Sequence, residues 1–321
     1  MAPGVRRGGT RSASPRPPLL DLPFPSRCNP ELDGLAAHLR RRIGDSGLIE
    51  EAALPAWESG RYERLVGRMF PAAPEPLLNL IGEAVLWLFL VDDHLDPGRP
   101  GGDPACAERL RHGVVRVLAG ERGEDPLPRW LCRWCPRIRD IAGPRWWSRC
   151  AADLRDFTTA ICDEVGARTD GVPALEAYVP ARRLTSGWGV LSDLVELDSG
   201  AEGIRSAALW SELRWTAADV ACAVNDILSL RKEVEAGEQH NLVFVLAVRG
   251  RRSIPDAVEV ADQWLRRRLS DYLDVRERFV AADRHRGGAG AARYARGLEH
   301  LMRGSRDWSV ETGRYEVADH E

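Results

Sequence analysis

Apolar residues along this chain recur three and four positions apart, in blocks a few helical turns long, and proline or glycine punctuates the blocks. Candidate helices begin near Pro30, Pro55, Pro76, Pro104, Pro128, Pro144, Pro173, Arg205, Pro255 and Ala291. Between them lie breakers such as PGRPGGDP (Pro97–Pro104) and RHRGGAGAA (Arg284–Ala292). The strict alternation of half-buried strands is absent, and no segment repeats. The pattern predicts an all-α fold, with one domain over residues 22–321. Residues 1–21, rich in Pro, Gly, Arg and Ser, read as a disordered tail without the continuous apolar stretch of a secretory signal. The most apolar block, LLNLIGEAVLWLFLV (Leu77–Val91), contains an Asn and a Glu and is short for a bilayer. It is expected to be a buried helix, with no membrane insertion.

Composition narrows the classes. At 321 residues and 44% apolar content, the chain can bury a large core. Its net charge of −3, with basic residues scattered, excludes the strong positive field of a nucleic-acid binder. The seven cysteines are irregularly spaced, and the one CRWC pair, Cys132 and Cys135, lacks a second pair to complete a zinc site. Reduced thiols in a cytoplasmic protein are the expectation.

Two polar clusters interrupt the apolar helices. The block after Leu77 ends in VDDHLDP, which crowds Asp92, Asp93 and Asp96 at a helix C-terminus, against the macrodipole and against each other. A solvated helix end is one reading. The other is a cation site, because Asp92 and Asp96 share a face and hard carboxylate oxygens suit Mg²⁺. His94 has no His or Cys partners at zinc spacing and reads as a neighbour of the site. The second cluster is VNDILSLRKE (Val224–Glu233), where Asn225, Ser229 and Glu233 line one side of a helix behind the small residues Ala218, Ala221 and Cys222. Asn and Ser compete with helical hydrogen bonds and are poor choices inside a helix without a reason. A satisfied core network would explain this cluster alone. The same stretch holds Lys232, the only lysine among 45 basic residues. Two oxygen-rich clusters on separate helices, with a lone ammonium beside one, point to a polyanion held by metal ions.

The two clusters also carry a family resemblance. DDHLD resembles the aspartate-rich motif of class I terpene synthases, and N-D-x-x-S-x-x-K-E (Asn225–Glu233) resembles their second metal motif. YVPARRLTSG (Tyr178–Gly187) is similar to the segment with the diphosphate-sensing arginine and the small effector residue. DWSVETGRY (Asp307–Tyr315) is similar to the C-terminal Arg-Tyr pair behind a cavity aromatic, and LPFPSRCNP (Leu22–Pro30) to the bacterial start of the domain. The resemblance runs from Leu22 to Tyr315 with the motifs in family order.

It implies a helical bundle around a central apolar pocket, in which a prenyl diphosphate is ionised with Mg²⁺ and the carbocation is cyclised. Length and the bacterial-type start favour farnesyl diphosphate. By position it implies that Asp92 bridges two Mg²⁺ ions while Asn225, Ser229 and Glu233 hold a third. Arg183, Lys232, Arg314 and Tyr315 would grip the diphosphate, with Gly187 as effector and with Asp93 and Asp96 orienting neighbours of the site. Arg182 is a rival to Arg183, which is favoured because Gly187 then falls at the effector position. Phe89, Trp188 and Trp308 are candidates to stabilise cations through their ring faces, with core packing as the plain alternative.

Two departures stand out: Leu88 where many relatives carry an aromatic, and a shortened loop around Ser199–Ile204. A chain-elongating prenyltransferase would carry a second aspartate-rich motif in place of NDILSLRKE. A non-catalytic helical scaffold would leave the order of the motifs unexplained. A homodimer is compatible with all of this.

Overall fold

The computed structural model describes residues 20–96, 102–168, 171–201, 207–237, 240–284 and 289–315. Residues 1–19 of the expected 1–21 tail, much of the two Gly-rich breakers and part of the expected short loop at 199–204 lie outside these residues. The described residues contain thirteen α-helices and no strands.

Seven of the helices ring a cavity: α3 (Tyr62–Met69), α4 (Glu75–Leu95), α7 (Pro144–Ala167), α8 (Leu175–Thr185), α9 (Trp188–Ser199), α10 (Ala207–Ala236) and α13 (Gly290–Glu311). Outside them pack α1 (Leu32–Gly44) and α6 (Pro126–Arg139) on α4, α5 (Pro104–Leu118) on α7, and α11 (Leu242–Gly250) and α12 (Ile254–Arg284) beside α10. The short α2 (Leu54–Ser59) sits near a 3₁₀ turn at Gly313–Tyr315. Proline in the first turn starts α2, α4, α5, α6 and α7, where its missing N–H costs nothing.

Helix α4 is buried on nearly every face, as its unbroken apolar run demands. Three indoles sew it to α6: Trp87 Nε1 donates to the Leu127 carbonyl at 3.0 Å, Trp130 Nε1 to Glu83 at 3.2 Å, and Trp134 Nε1 to Leu80 at 2.9 Å. The Glu83 side chain is fully buried and receives His38 at 2.7 Å, Arg137 at 2.7 Å and Arg42 at 3.1 Å. Burial pushes its carboxyl up, but these partners outweigh that and hold it below the usual carboxylate range.

Three helix starts fall outside those expected from the sequence. Arg61, at φ +50°, separates α2 from α3. Asn241 caps α11, its Oδ1 accepting the Val243 N–H at 2.7 Å. Gly187, at φ +67°, separates α8 from α9, and a Cβ there would lie 2.8 Å from Leu88 Cδ1. No proline marks this break, and the apolar pattern runs through it because α8 and α9 share the cavity.

The expected tail ends earlier than residue 21. Leu20 is buried, and Arg306 Nε donates to its carbonyl at 3.1 Å. Arg303 Nη1 donates to Leu22 and Phe24 carbonyls at 2.9 and 3.1 Å, so this strap belongs to the fold. Among the described residues no helix is long and apolar enough to cross a membrane. All seven cysteines are free thiols.

Candidate active site

The cavity, about 1400 Å³ with its open mouth, is apolar inside and polar at the rim. One side of the rim is the C-terminal end of α4. Asp92 and Asp96 both line the cavity, as their four-residue spacing requires. Asp93 turns instead to Arg314, whose Nη2 and Nη1 donate to its two oxygens at 2.6 and 3.1 Å. The same guanidinium reaches Asp92 Oδ2 at 3.2 Å and the Tyr62 hydroxyl at 3.0 Å, and lies 5.1 Å from the Phe89 ring centre. The Asp96 carboxyl is pushed up to about 7, first by burial and then by the charge of Asp92, with Lys232 pulling the other way. His94 is half-buried outside the cavity lining, and burial pushes its imidazole down.

The other side of the rim is α10. Asn225 Oδ1 accepts from Arg182 Nη2 at 2.7 Å, and its Nδ2 donates to the Tyr315 hydroxyl at 2.7 Å. Ser229 is buried; its single hydroxyl hydrogen lies between two acceptors, the Asn225 carbonyl at 2.7 Å and Glu233 Oε1 at 2.6 Å. Glu233 lines the cavity, and burial, then the charge of Asp226, pushes its carboxyl up to about 7 despite bonds from Ser229 and Asn241. Lys232 lines the cavity one residue before it.

Arg183 is not brought to the cavity. Its guanidinium is held in a fork on buried Asp219, at 2.6 and 2.8 Å, which also receives Arg268 at 2.8 Å. Arg182 is the arginine that lines the cavity. Consecutive residues on a helix point about 100° apart, and of this pair Arg182 turns to the cavity while Arg183 turns to Asp219. Ser186, four residues after Arg182, lines the cavity, whereas the Gly187 carbonyl accepts the Leu191 N–H at 3.1 Å as the opening bond of α9. Neither Arg183 nor Gly187, both expected at the site, lines the cavity.

The three expected aromatics all line the cavity. Trp308 is anchored by Nε1 donating to the Gly60 carbonyl at 2.7 Å, and its ring meets those of Phe89, Tyr62 and Tyr315 within 6 Å. Trp188 stands at the first position of α9. Leu88 lines the cavity and packs against Gly187.

The donor set fits a hard divalent ion. Carboxylates Asp92 and Asp96 lie on one rim, and Asn225 and Glu233 on the other with buried Ser229 bonded behind Glu233, all of them oxygen donors. Among the described residues no three His, Cys, Asp or Glu side chains cluster at ligand distance. Asp96 and Glu233, one on each rim, are both raised first by burial and then by a neighbouring carboxylate, Asp92 and Asp226 respectively.

Sequence reasoning missed Tyr62, Tyr178, Asp226 and Asn241 as parts of this site. Only Asn241 carried a local signal, a cap residue before the apolar run LVFVLAV.

A family model described as terpene synthase family 2, C-terminal metal binding, matches residues 83–271. Pentalenene synthase from Streptomyces avermitilis is 31% identical over 317 residues, covering 92% of this chain and 91% of that one. A 4-epi-cubebol synthase from Streptosporangium roseum, described as (2E,6E)-farnesyl diphosphate cyclizing, is 28% identical over 94% of this chain and 92% of its own length. Among solved structures, a point variant of cucumene synthase superimposes with a TM-score of 0.80 at 26% identity, covering 92% of this chain and all of that one. With these matches running through both rims of the cavity, the chain belongs to the terpene synthase family, the class I metal-dependent terpene cyclases.

Proposed function

We propose that this protein is a sesquiterpene cyclase that ionises farnesyl diphosphate and cyclises the resulting cation, releasing diphosphate. The observation that carries this is the pairing of two oxygen-donor rims across the mouth of an apolar cavity, with Arg182, Lys232, Arg314 and Tyr315 between them. Asp92, Asn225, Ser229 and Glu233 are the residues to hold Mg²⁺, three ions with bound diphosphate, and these ions supply charge neutralisation to the leaving group. Arg182, in place of Arg183, donates to the diphosphate together with Lys232, Arg314 and Tyr315. Charge separation is the cost of the step, and preorganised donors at the leaving group lower it.

Below the rim the apolar walls keep water from the cation, and the faces of Phe89, Trp188 and Trp308 stabilise its charge. Ser186 at the helix break sits at the effector position. No side-chain base is needed, because the released diphosphate or a backbone carbonyl takes the last proton. The seven free thiols fit a cytoplasmic setting.

The test offers geranyl, farnesyl and geranylgeranyl diphosphate with Mg²⁺ and analyses the volatiles. A cyclic fifteen-carbon product from farnesyl diphosphate, abolished by EDTA, is expected. Diphosphate release without a cyclic terpenoid from any of the three would overturn the reading.

A further inference from the structure

The ligands on α10 are held from behind by a second, fully buried layer of polar groups that touches no substrate. Its centre is Asn241, 0% exposed, at the start of α11. The Oδ1 of Asn241 is committed to capping α11, so its orientation is fixed by the fold. Its Nδ2 carries two hydrogens, and both are used: one goes to the Asp226 carbonyl at 2.7 Å and the other to Glu233 Oε2 at 2.7 Å. Glu233 Oε1 takes the Ser229 hydroxyl. Both carboxylate oxygens of Glu233 are thus pinned by neutral donors.

The Asp226 side chain, 1% exposed, does the same for Arg182. Its carboxylate accepts from the Leu242 N–H at 3.0 Å, from Arg182 Nε at 3.0 Å and from the Tyr178 hydroxyl. Tyr178 and Arg182 are one turn apart on α8, so Asp226 receives both from one helix face. With Nε committed to Asp226, the far nitrogen Nη2 is aimed at Asn225 Oδ1 and the cavity. Arginine could otherwise swing over several ångströms of the mouth.

We propose that Asn241, Asp226 and Tyr178 form a buried brace across α8, α10 and α11 that positions the reaction's charged groups: Asn241 sets Glu233 for metal, and Asp226 with Tyr178 sets Arg182 for the leaving group. These are positioning residues, and the proposal rests on the function proposed above. The brace has two arms, so its members differ in what they disturb. Loss of the Asn241 donors loosens a metal ligand, and outer-shell partners of this kind are worth about 10- to 100-fold in metal affinity. Loss of the Tyr178 hydroxyl loosens Arg182 and reaches Asn225 only indirectly, through Arg182 Nη2, while Glu233 keeps both its donors.

The experiment uses the full chain and reads the rise in melting temperature with Mg²⁺ and inorganic diphosphate, alongside steady-state kinetics with farnesyl diphosphate. Asn241→Ser keeps a side-chain oxygen for the cap and removes both Nδ2 donors; Asn241→Thr replaces it if the serine variant does not fold. The Mg²⁺ concentration that half-saturates the thermal shift should rise about 10-fold or more, with the metal-free melting temperature near that of the wild type. Tyr178→Phe should leave that concentration within about twofold and lower kcat about 10-fold or more with a smaller change in KM. Unchanged Mg²⁺ dependence in the Asn241 variant would overturn the brace, as would both variants losing stability and metal response in parallel. A wild-type protein that shows no shift with Mg²⁺ and diphosphate would overturn the metal reading itself, and the brace with it.

Discussion

On the α10 rim, Asn225, Ser229 and Glu233 are tied into the core through Arg182, Tyr315 and Asn241, and the backing residue Asp226 is 1% exposed. On the α4 rim, the Asp92 side chain is 50% exposed and shares a single guanidinium, Arg314, with Asp93. One rim is built by neutral and charged donors inside the core. The other is a helix end where like charges meet the negative pole of the dipole, and a cation from the C-terminal turn holds them. The α10 oxygen donors are therefore held in place by the core, whereas the α4 carboxylates are held by one guanidinium at the mouth.

The largest effect is expected from the α10 rim. Asn225→Leu removes a ligand and the bonds to Arg182 and Tyr315, and turnover of farnesyl diphosphate should fall by at least about 10²- to 10³-fold in product formation assays, with the far-UV circular dichroism of the fold retained. Unchanged turnover would mean that α10 does not hold metal.

The adjacent arginines sharpen the same comparison. Arg182→Lys loses the fork that spans Asp226 and Asn225, and kcat should drop by roughly 10²-fold, while Arg183→Lys, on Asp219 outside the cavity, should keep kcat near that of the wild type. The reverse ranking would restore Arg183 to the site.

On the α4 rim, Arg314→Gln releases Asp92 and Asp93. Mg²⁺ alone should then bind more tightly by calorimetry, through relief of about one competing charge, even as turnover falls roughly tenfold for want of a diphosphate donor. Weaker Mg²⁺ binding would show that Arg314 shapes the carboxylates for metal and does not compete for them.

The smallest effect on chemistry is expected far from both rims. Glu83→Gln leaves Arg42 and Arg137 beside a neutral amide and should cost about 3 kcal/mol by urea melts, with kcat retained in the folded protein. Because the Glu83 carboxyl is held below its ordinary value, its contribution is present above the unfolded carboxylate range and lost as pH falls through the lowered value. The wild type should accordingly lose more stability on acidification than the variant. Equal acid slopes would remove Glu83 from that account.

Much of this was legible in the sequence. The 3.6-residue apolar period and the proline starts located most helices, and the four-residue spacings put Asp92 with Asp96, and Asn225 with Glu233, on cavity-lining faces. The break at Gly187 was not legible, because Thr185 and Trp188 both face the cavity and the apolar period never falters. Asp226 looked like one more polar residue in a motif. Its role comes from Tyr178, Arg182 and Leu242, which belong to other helices.

Helix content, the faces each helix buries and the order of the charged motifs follow from the sequence by itself, since they depend on spacing within a few turns. Which of Arg182 and Arg183 faces the substrate does not. Helix α10 offers two buried aspartates, Asp219 and Asp226, two turns apart, and each arginine of α8 takes one. The angle and height at which α8 meets α10 decide the assignment. Likewise Arg314 reaches Asp93 across 221 residues only because the chain's last helix returns to the mouth of α4. Such contacts are set by how helices pack, and no local pattern encodes them.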